Sequence, residues 1–136
     1  MKILVVHRQI EVFKQIKSVL RSNNSIIRFS DSGLDGLLAA RIESFDLIIC
    51  GTELPVITGY EVVRSIKTTS VNKHSPVILL TEEITEKAEH LGHALGVIDV
   101  IGEKDLVDRL PALVHQNVKP LPDNNWEDLF AINKMN

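Results

Sequence analysis

The sequence predicts a doubly wound α/β domain: a five-stranded parallel sheet with helices on both faces. Three observations carry this. Five short apolar runs recur along the chain: Ile3–Val6, Ser25–Phe29, Leu47–Cys50, Val77–Leu80 and Val97–Ile101. Several are rich in Val and Ile, as strands covered on both faces are. Amphipathic stretches separate them, with apolar residues three and four apart. Strand and helix therefore alternate, so each strand returns to the sheet through a crossover helix and the strands run parallel.

Taken in order, the first strand runs into the polar pair His7-Arg8. The first helix follows, with Val12, Phe13, Ile16, Val19 and Leu20 on one stripe. After the second strand, Asp31 or Ser32 is the cap of a helix whose stripe, Leu34, Leu37, Leu38 and Arg41, is less clean. The third strand leads through a loop to the turn signal Thr58-Gly59 and a helix carrying Val62, Val63 and Ile66. Ile84, Ala88 and Leu91 form a fourth helical stripe; Leu106, Leu110, Leu113 and Val114 form a fifth. Pro111 falls inside that last pattern. It removes a backbone donor and crowds the preceding turn, so the helix should kink there or start late.

The pattern stops after Val118. Residues 1–117 read as one domain and residues 118–136 as a tail or linker that opens with two prolines. A short helix is possible at 124–131, where Trp126, Leu129 and Phe130 would share one face. These three are candidate partner-binding residues, because aromatic anchors dominate many interfaces.

Composition narrows the function. The chain has 136 residues, 44% apolar and 24% charged, with a net charge of −3, enough for one core. That charge gives no electrostatic reason to expect nucleic acid or an anionic membrane. No apolar run approaches the roughly 18 residues of a membrane-spanning helix. The single cysteine, Cys50, sits in an apolar run; it reads as a core residue in a reducing, cytoplasmic setting.

In parallel sheets of this kind, sites form beyond the carboxyl ends of the strands. The residues placed there are His7 and Arg8, Gly51 to Glu53, Thr81 and Glu82, and Gly102 to Lys104. Asp46 and Asp99 precede or begin their strands and fall at the other end. Glu86, His90 and His93 share a helical face and could bind a metal, although such an exposed trio reads more readily as a solvated face. Neither a glycine-rich phosphate loop nor a nucleophile elbow is present.

Four stretches, in order and correctly spaced, resemble the response-regulator receiver domain, the CheY-like family: "KILVV", "DLIICGTELPVITGYEVVRSIK", "SPVILLTEE" and "HALGVIDVIGEKD". The resemblance covers about residues 1 to 116 and implies strand order 2-1-3-4-5, a flavodoxin-like arrangement. It also implies phosphoryl transfer to an aspartate, two acids binding magnesium, a lysine and a hydroxyl residue around the phosphoryl group, and a mobile aromatic residue on the fifth strand.

Carried over position by position, that chemistry is missing. The acid pair falls on His7 and Arg8, the acceptor on Gly51, the lysine on Glu103 and the aromatic on Val100; only Thr81 is retained. Glycine offers no side chain to phosphorylate, and a cation pair cannot replace magnesium carboxylates. Glu53 lies two positions further on, in the loop. The chain thus reads as a degenerate pseudo-receiver: no catalytic residue, no metal, no cofactor, not an enzyme. Its expected role is phosphorylation-independent interaction with a regulatory or output protein, or with itself as a dimer.

The charges are inverted relative to the family, with Arg8 after the first strand and Glu103 after the fifth. We expect Arg8 to pair with Glu103, Glu53 or Glu82; the alternative is four side chains pointing into water. A second functional reading makes His7, Arg8 and Thr81 donors around a small Gly51, an anion- or ligand-sensing site. A third, a flavodoxin-like enzyme or flavin carrier, lacks a phosphate cradle after the first strand.

Overall fold

A computed structural model describes residues 1–21 and 24–118. Five parallel strands form one sheet: β1 (Lys2–Val6), β2 (Ile26–Ser30), β3 (Leu47–Gly51), β4 (Val77–Thr81) and β5 (Asp99–Gly102), in the order β2-β1-β3-β4-β5. The helices are α1 (Ile10–Val19), α2 (Gly33–Ile42), α3 (Gly59–Thr69), α4 (Glu86–Leu95) and α5 (Leu106–Asn117). The expected doubly wound fold and strand order are both present.

The sheet separates two apolar layers. On one side Ile3, Val5, Ile49 and Leu80 pack with Ile16 of α1, with Leu20 just after that helix, and with Leu106, Leu110 and Val114 of α5. On the other, Leu4, Val6, Ile48 and Leu79 pack with Ala40 of α2, Val63 and Ile66 of α3, and Ala88 of α4. Every residue of β3 and β4 is buried, which is why those runs read as continuous rather than alternating.

Ser32, Thr58 and Thr85 cap α2, α3 and α4, each hydroxyl accepting a backbone N–H three residues on. This supplies a partner for one of the donors a helix start leaves open. Left-handed Gly96 (φ 73°) closes α4.

Three sequence expectations are corrected. Helix α2 buries only part of its expected stripe: Leu37 packs against the core, but Leu34 and Leu38 are exposed, as is Ile42, and Gly33, Gly36 and Ala40 face inward. The backbone must come close there, since a Cβ on Gly36 would stand 2.7 Å from Val6 Cγ2. Ile84 precedes α4 rather than joining it. Helix α5 does not start late; it carries Pro111 internally, behind a 3-10 turn at Glu103–Asp105. The tail and its candidate residues Trp126, Leu129 and Phe130 lie outside the described residues.

Candidate functional site

The carboxyl ends of β1, β3, β4 and β5 bring together the five positions that the family resemblance marks: His7, Arg8, Gly51, Thr81 and Glu103. β1 sits beside β3, with Val6 in register with Cys50. His7 and Gly51, one residue beyond, are therefore neighbours. His7 is 3% exposed. A Cβ added to Gly51 would meet His7 Cδ2 at 2.8 Å. The imidazole thus fills the space that a side chain at position 51 would need.

Two hydrogen bonds fix the ring. The Gln9 N–H donates to His7 Nδ1 at 3.0 Å, and His7 Nε2 lies 2.8 Å from Glu103 Oε1. Because Nδ1 accepts, Nε2 must carry the proton and donate to the carboxylate. The contacts therefore select one tautomer of a neutral ring.

Arg8 points outward across the strand ends. Its Nη2 lies 2.8 Å from Glu82 Oε1 and 3.4 Å from Glu53 Oε2. The bridge expected from charge is present, to Glu82 and Glu53; Glu103 is taken by His7 instead. All three side chains of the Arg8 cluster are at least two-fifths exposed, so each pair contributes about 0–1 kcal/mol. Its effect is geometric: the β1–α1, β3–α3 and β4–α4 loops are tied together, and His7 adds the β5–α5 turn.

Thr81 is buried and its hydroxyl donates to the Glu83 carbonyl at 3.0 Å, inside its own loop. Val100 is also buried, and a Cβ on Gly92 of α4 would stand 2.5 Å from its Cγ2. Helix α4 thus lies directly on β5 there. Beside these residues opens a groove of about 770 Å³, with Thr58, Tyr60, Glu83, Thr85, Lys87 and Lys104 around it. Burial and the charge of Glu53 raise the Tyr60 hydroxyl above its ordinary pKa, keeping it a neutral donor.

Two backbone features beside the site gave little sign in the sequence. Gly59 approaches β3 so closely that a Cβ would overlap the Gly51 carbonyl oxygen. Val56, 89% exposed, has φ 72° and sits in a γ-turn closed by the Ile57 N–H on the Pro55 carbonyl at 2.8 Å. Gly59 read only as half of the Thr58-Gly59 turn signal, and Val56 left no sign in the spacing. Asp46 and Asp99 act at the far end as expected. Asp46 accepts the Lys2 backbone N–H at 2.7 Å, and Asp99 pairs with Arg109. Among the described residues no three His, Cys, Asp or Glu side chains gather into a metal-binding group. Glu86, His90 and His93 only line a shallow hollow on α4.

Comparison with known proteins places this geometry. The response regulator receiver domain model matches residues 3–112, and the chain belongs to that family. The transcriptional regulatory protein CusR of Escherichia coli K12 is 31% identical over 101 residues, 74% of this chain and 44% of CusR. The cell cycle response regulator CtrA of Brucella ovis is 26% identical over 121 residues, 88% of this chain and 50% of CtrA. The chain thus spans about half the length of these relatives. The crystal structure of the chemotaxis protein CheY4 from Vibrio cholerae superposes with a TM-score of 0.78 at 24% identity, covering 86% of this chain and 98% of CheY4. The magnesium-bound receiver domain of the sensor histidine kinase PA1611 from Pseudomonas aeruginosa PAO1 gives 0.75 at 21% identity, covering 85% and 95%. Receiver domains of response regulators belong to two-component signalling.

The family resemblance implies magnesium, and the donors here do not fit it. Magnesium demands hard oxygen ligands in near-ideal octahedral geometry. The residues after β1 are an imidazole and a guanidinium, and the carboxylates of Glu53, Glu82 and Glu103 are already turned toward them.

Proposed function

We propose that this receiver domain acts in signal transduction without phosphotransfer, as a protein-interaction module held in one conformation by its strand-end contacts. One observation carries the reading: the His7 ring, bonded to Glu103, covers the Gly51 backbone at the position the family resemblance assigns to the acceptor. The residues that would move on phosphorylation are engaged elsewhere or replaced. Thr81 bonds its own loop, and Val100 is too small to act as a swinging aromatic. The domain is then a pseudo-receiver with no enzymatic activity of its own. It works in the cytoplasm, and its partner is a regulatory or output protein or a second copy. No described helix is long and apolar enough to cross a membrane.

Incubation with acetyl phosphate and magnesium tests this by intact mass. Amide NMR with magnesium and then beryllofluoride, a phosphoryl mimic, extends the test to non-covalent sensing. An unmodified mass and a silent spectrum are expected. A phosphorylated protein would overturn the reading. Shifts clustered at His7, Gly51, Thr81 and Glu103 without modification would favour the second reading, a ligand-sensing site. The groove beside Thr81, lined by hydroxyls together with Glu53, Glu82, Glu83 and Glu103, is the feature that supports it.

A further inference from the structure

We propose that the carboxyl-terminal segment of this chain docks in a basic groove between α1 and β2, with Trp126 on the groove's apolar floor. This goes beyond the interaction reading above and rests on a different part of the molecule.

The groove encloses about 340 Å³. Lys14, Lys17 and Arg21 line its walls, and Leu20 and Ile27 supply its apolar surface. Among the described residues no acidic side chain lines it. Among the described residues, none of the three cations forms an ion pair. Lys17 leans instead over the Phe13 ring, 6.0 Å from its centroid. In a chain of net charge −3, three unmatched cations around an apolar floor define what fits: an acidic segment with an aromatic anchor.

The chain carries such a segment. Between Asp123 and Phe130 stand Asp123, Glu127 and Asp128, no base, and the only tryptophan of the protein. The point of departure is close. Helix α5 packs against α1, and Val118, which ends α5, is buried in the same apolar cluster as Leu20 and Ile27. Both helices run antiparallel to the strands, so their carboxyl ends lie at the same end of the sheet. To reach the groove the chain must pass the end of α1, a distance of about one helix diameter, ~10 Å. Trp126 lies eight residues beyond Val118, a reach of up to ~26 Å when extended. Another exposed apolar surface, Leu34, Leu38 and Ile42 on α2, belongs to the layer on the opposite face of the sheet.

Because Trp126 is the sole tryptophan, its fluorescence in the full 136-residue chain reports the contact directly. The expected result is a blue-shifted emission with restricted acrylamide quenching, unchanged on dilution. The variant Lys14→Glu/Lys17→Glu/Arg21→Glu should move both toward free indole, with the far-ultraviolet circular dichroism retained. Lys17→Glu alone should do so in part, and serves if the triple variant fails to fold. Leu38→Ser should leave the emission unchanged. A wild-type emission of fully solvated indole would overturn the proposal. So would a blue shift that disappears on dilution, which would mean docking on a second copy. A shift lost in Leu38→Ser but kept in the charge variants would place the segment on α2.

Discussion

His7 and Gly51 share one volume, and that exchange makes a testable claim about a single residue. Restoring an acid by Gly51→Asp would drive its Cβ to 2.8 Å from His7 Cδ2. The ring would have to leave Glu103, at a cost of about 1–3 kcal/mol for an overpacked buried site. We expect Gly51→Asp to lower stability by that amount in urea unfolding, and His7→Ala added to it to recover part of the loss by vacating the space. Neither should take up phosphate from acetyl phosphate, because Arg8 remains. Cys50, next in the strand, makes a second claim. It is fully buried, and desolvation pushes its thiol from an ordinary 9.0 up to about 12. Between those values the folded state keeps the proton that the unfolded state gives up, so stability falls as pH rises, by about 1.4 kcal/mol per pH unit. Cys50→Ala should be less stable at pH 7 but lose less on going from pH 9 to pH 11. Equal alkaline slopes for the two proteins would contradict the burial argument.

Between β3 and α3 the loop is shaped by backbone geometry. Val56 is β-branched, 89% exposed and held at φ 72°, a region that disfavours branched side chains. Little packing is lost by changing it, so Val56→Asn should stabilise the domain by about 1 kcal/mol in thermal or urea unfolding; a destabilised variant would show that the valine makes a contact worth the strain. At the other end of the sheet, Asn72 is fully buried and joins three segments. Its amide donates to the Ala40 and Glu43 carbonyls at the end of α2, and its oxygen accepts the Phe45 N–H at 2.7 Å. Asn72→Ala strands those groups and should cost about 3 kcal/mol in denaturant unfolding. A loss well under 1 kcal/mol would mean that water replaces the amide. Asn72 lay in a polar stretch and gave no sign of this in the sequence. The orientation of α2 was equally hidden. Its leucines suggested the buried face, but the close approach of Gly36 to Val6 and of Gly33 to Ile57 decided it. The inner strands were easier to read, because burial on both faces of β3 and β4 leaves uninterrupted apolar runs.

Across the whole molecule, two kinds of information were written at different strengths. The alternation of strand and helix is repeated five times, and each repeat constrains the others, so topology was legible. Strand ends converge at the switch between β1 and β3 in any sheet of this order; the gathering of His7, Arg8, Gly51, Thr81 and Glu103 was therefore legible too. Which carboxylate meets which cation was not, since it depends on side-chain rotamers: Glu103 went to His7 and Glu82 to Arg8. This separation has a consequence. If the scaffold is set by the buried runs and the chemistry by a few residues at its rim, the chemistry should be replaceable without refolding. The buried layers keep their native side chains when His7→Asp, Arg8→Asp, Gly51→Asp and Glu103→Lys are combined. The combination removes the ring that blocks position 51 and reinstates the oxygen ligands and the cation that the family resemblance implies. Thr81 is already in place. We expect this fourfold variant to fold, to show magnesium-dependent amide shifts at the strand ends, and to gain one phosphoryl group from acetyl phosphate by intact mass. A folded variant that binds no magnesium would show that the loops themselves, and not only the four side chains, have moved away from phosphotransfer.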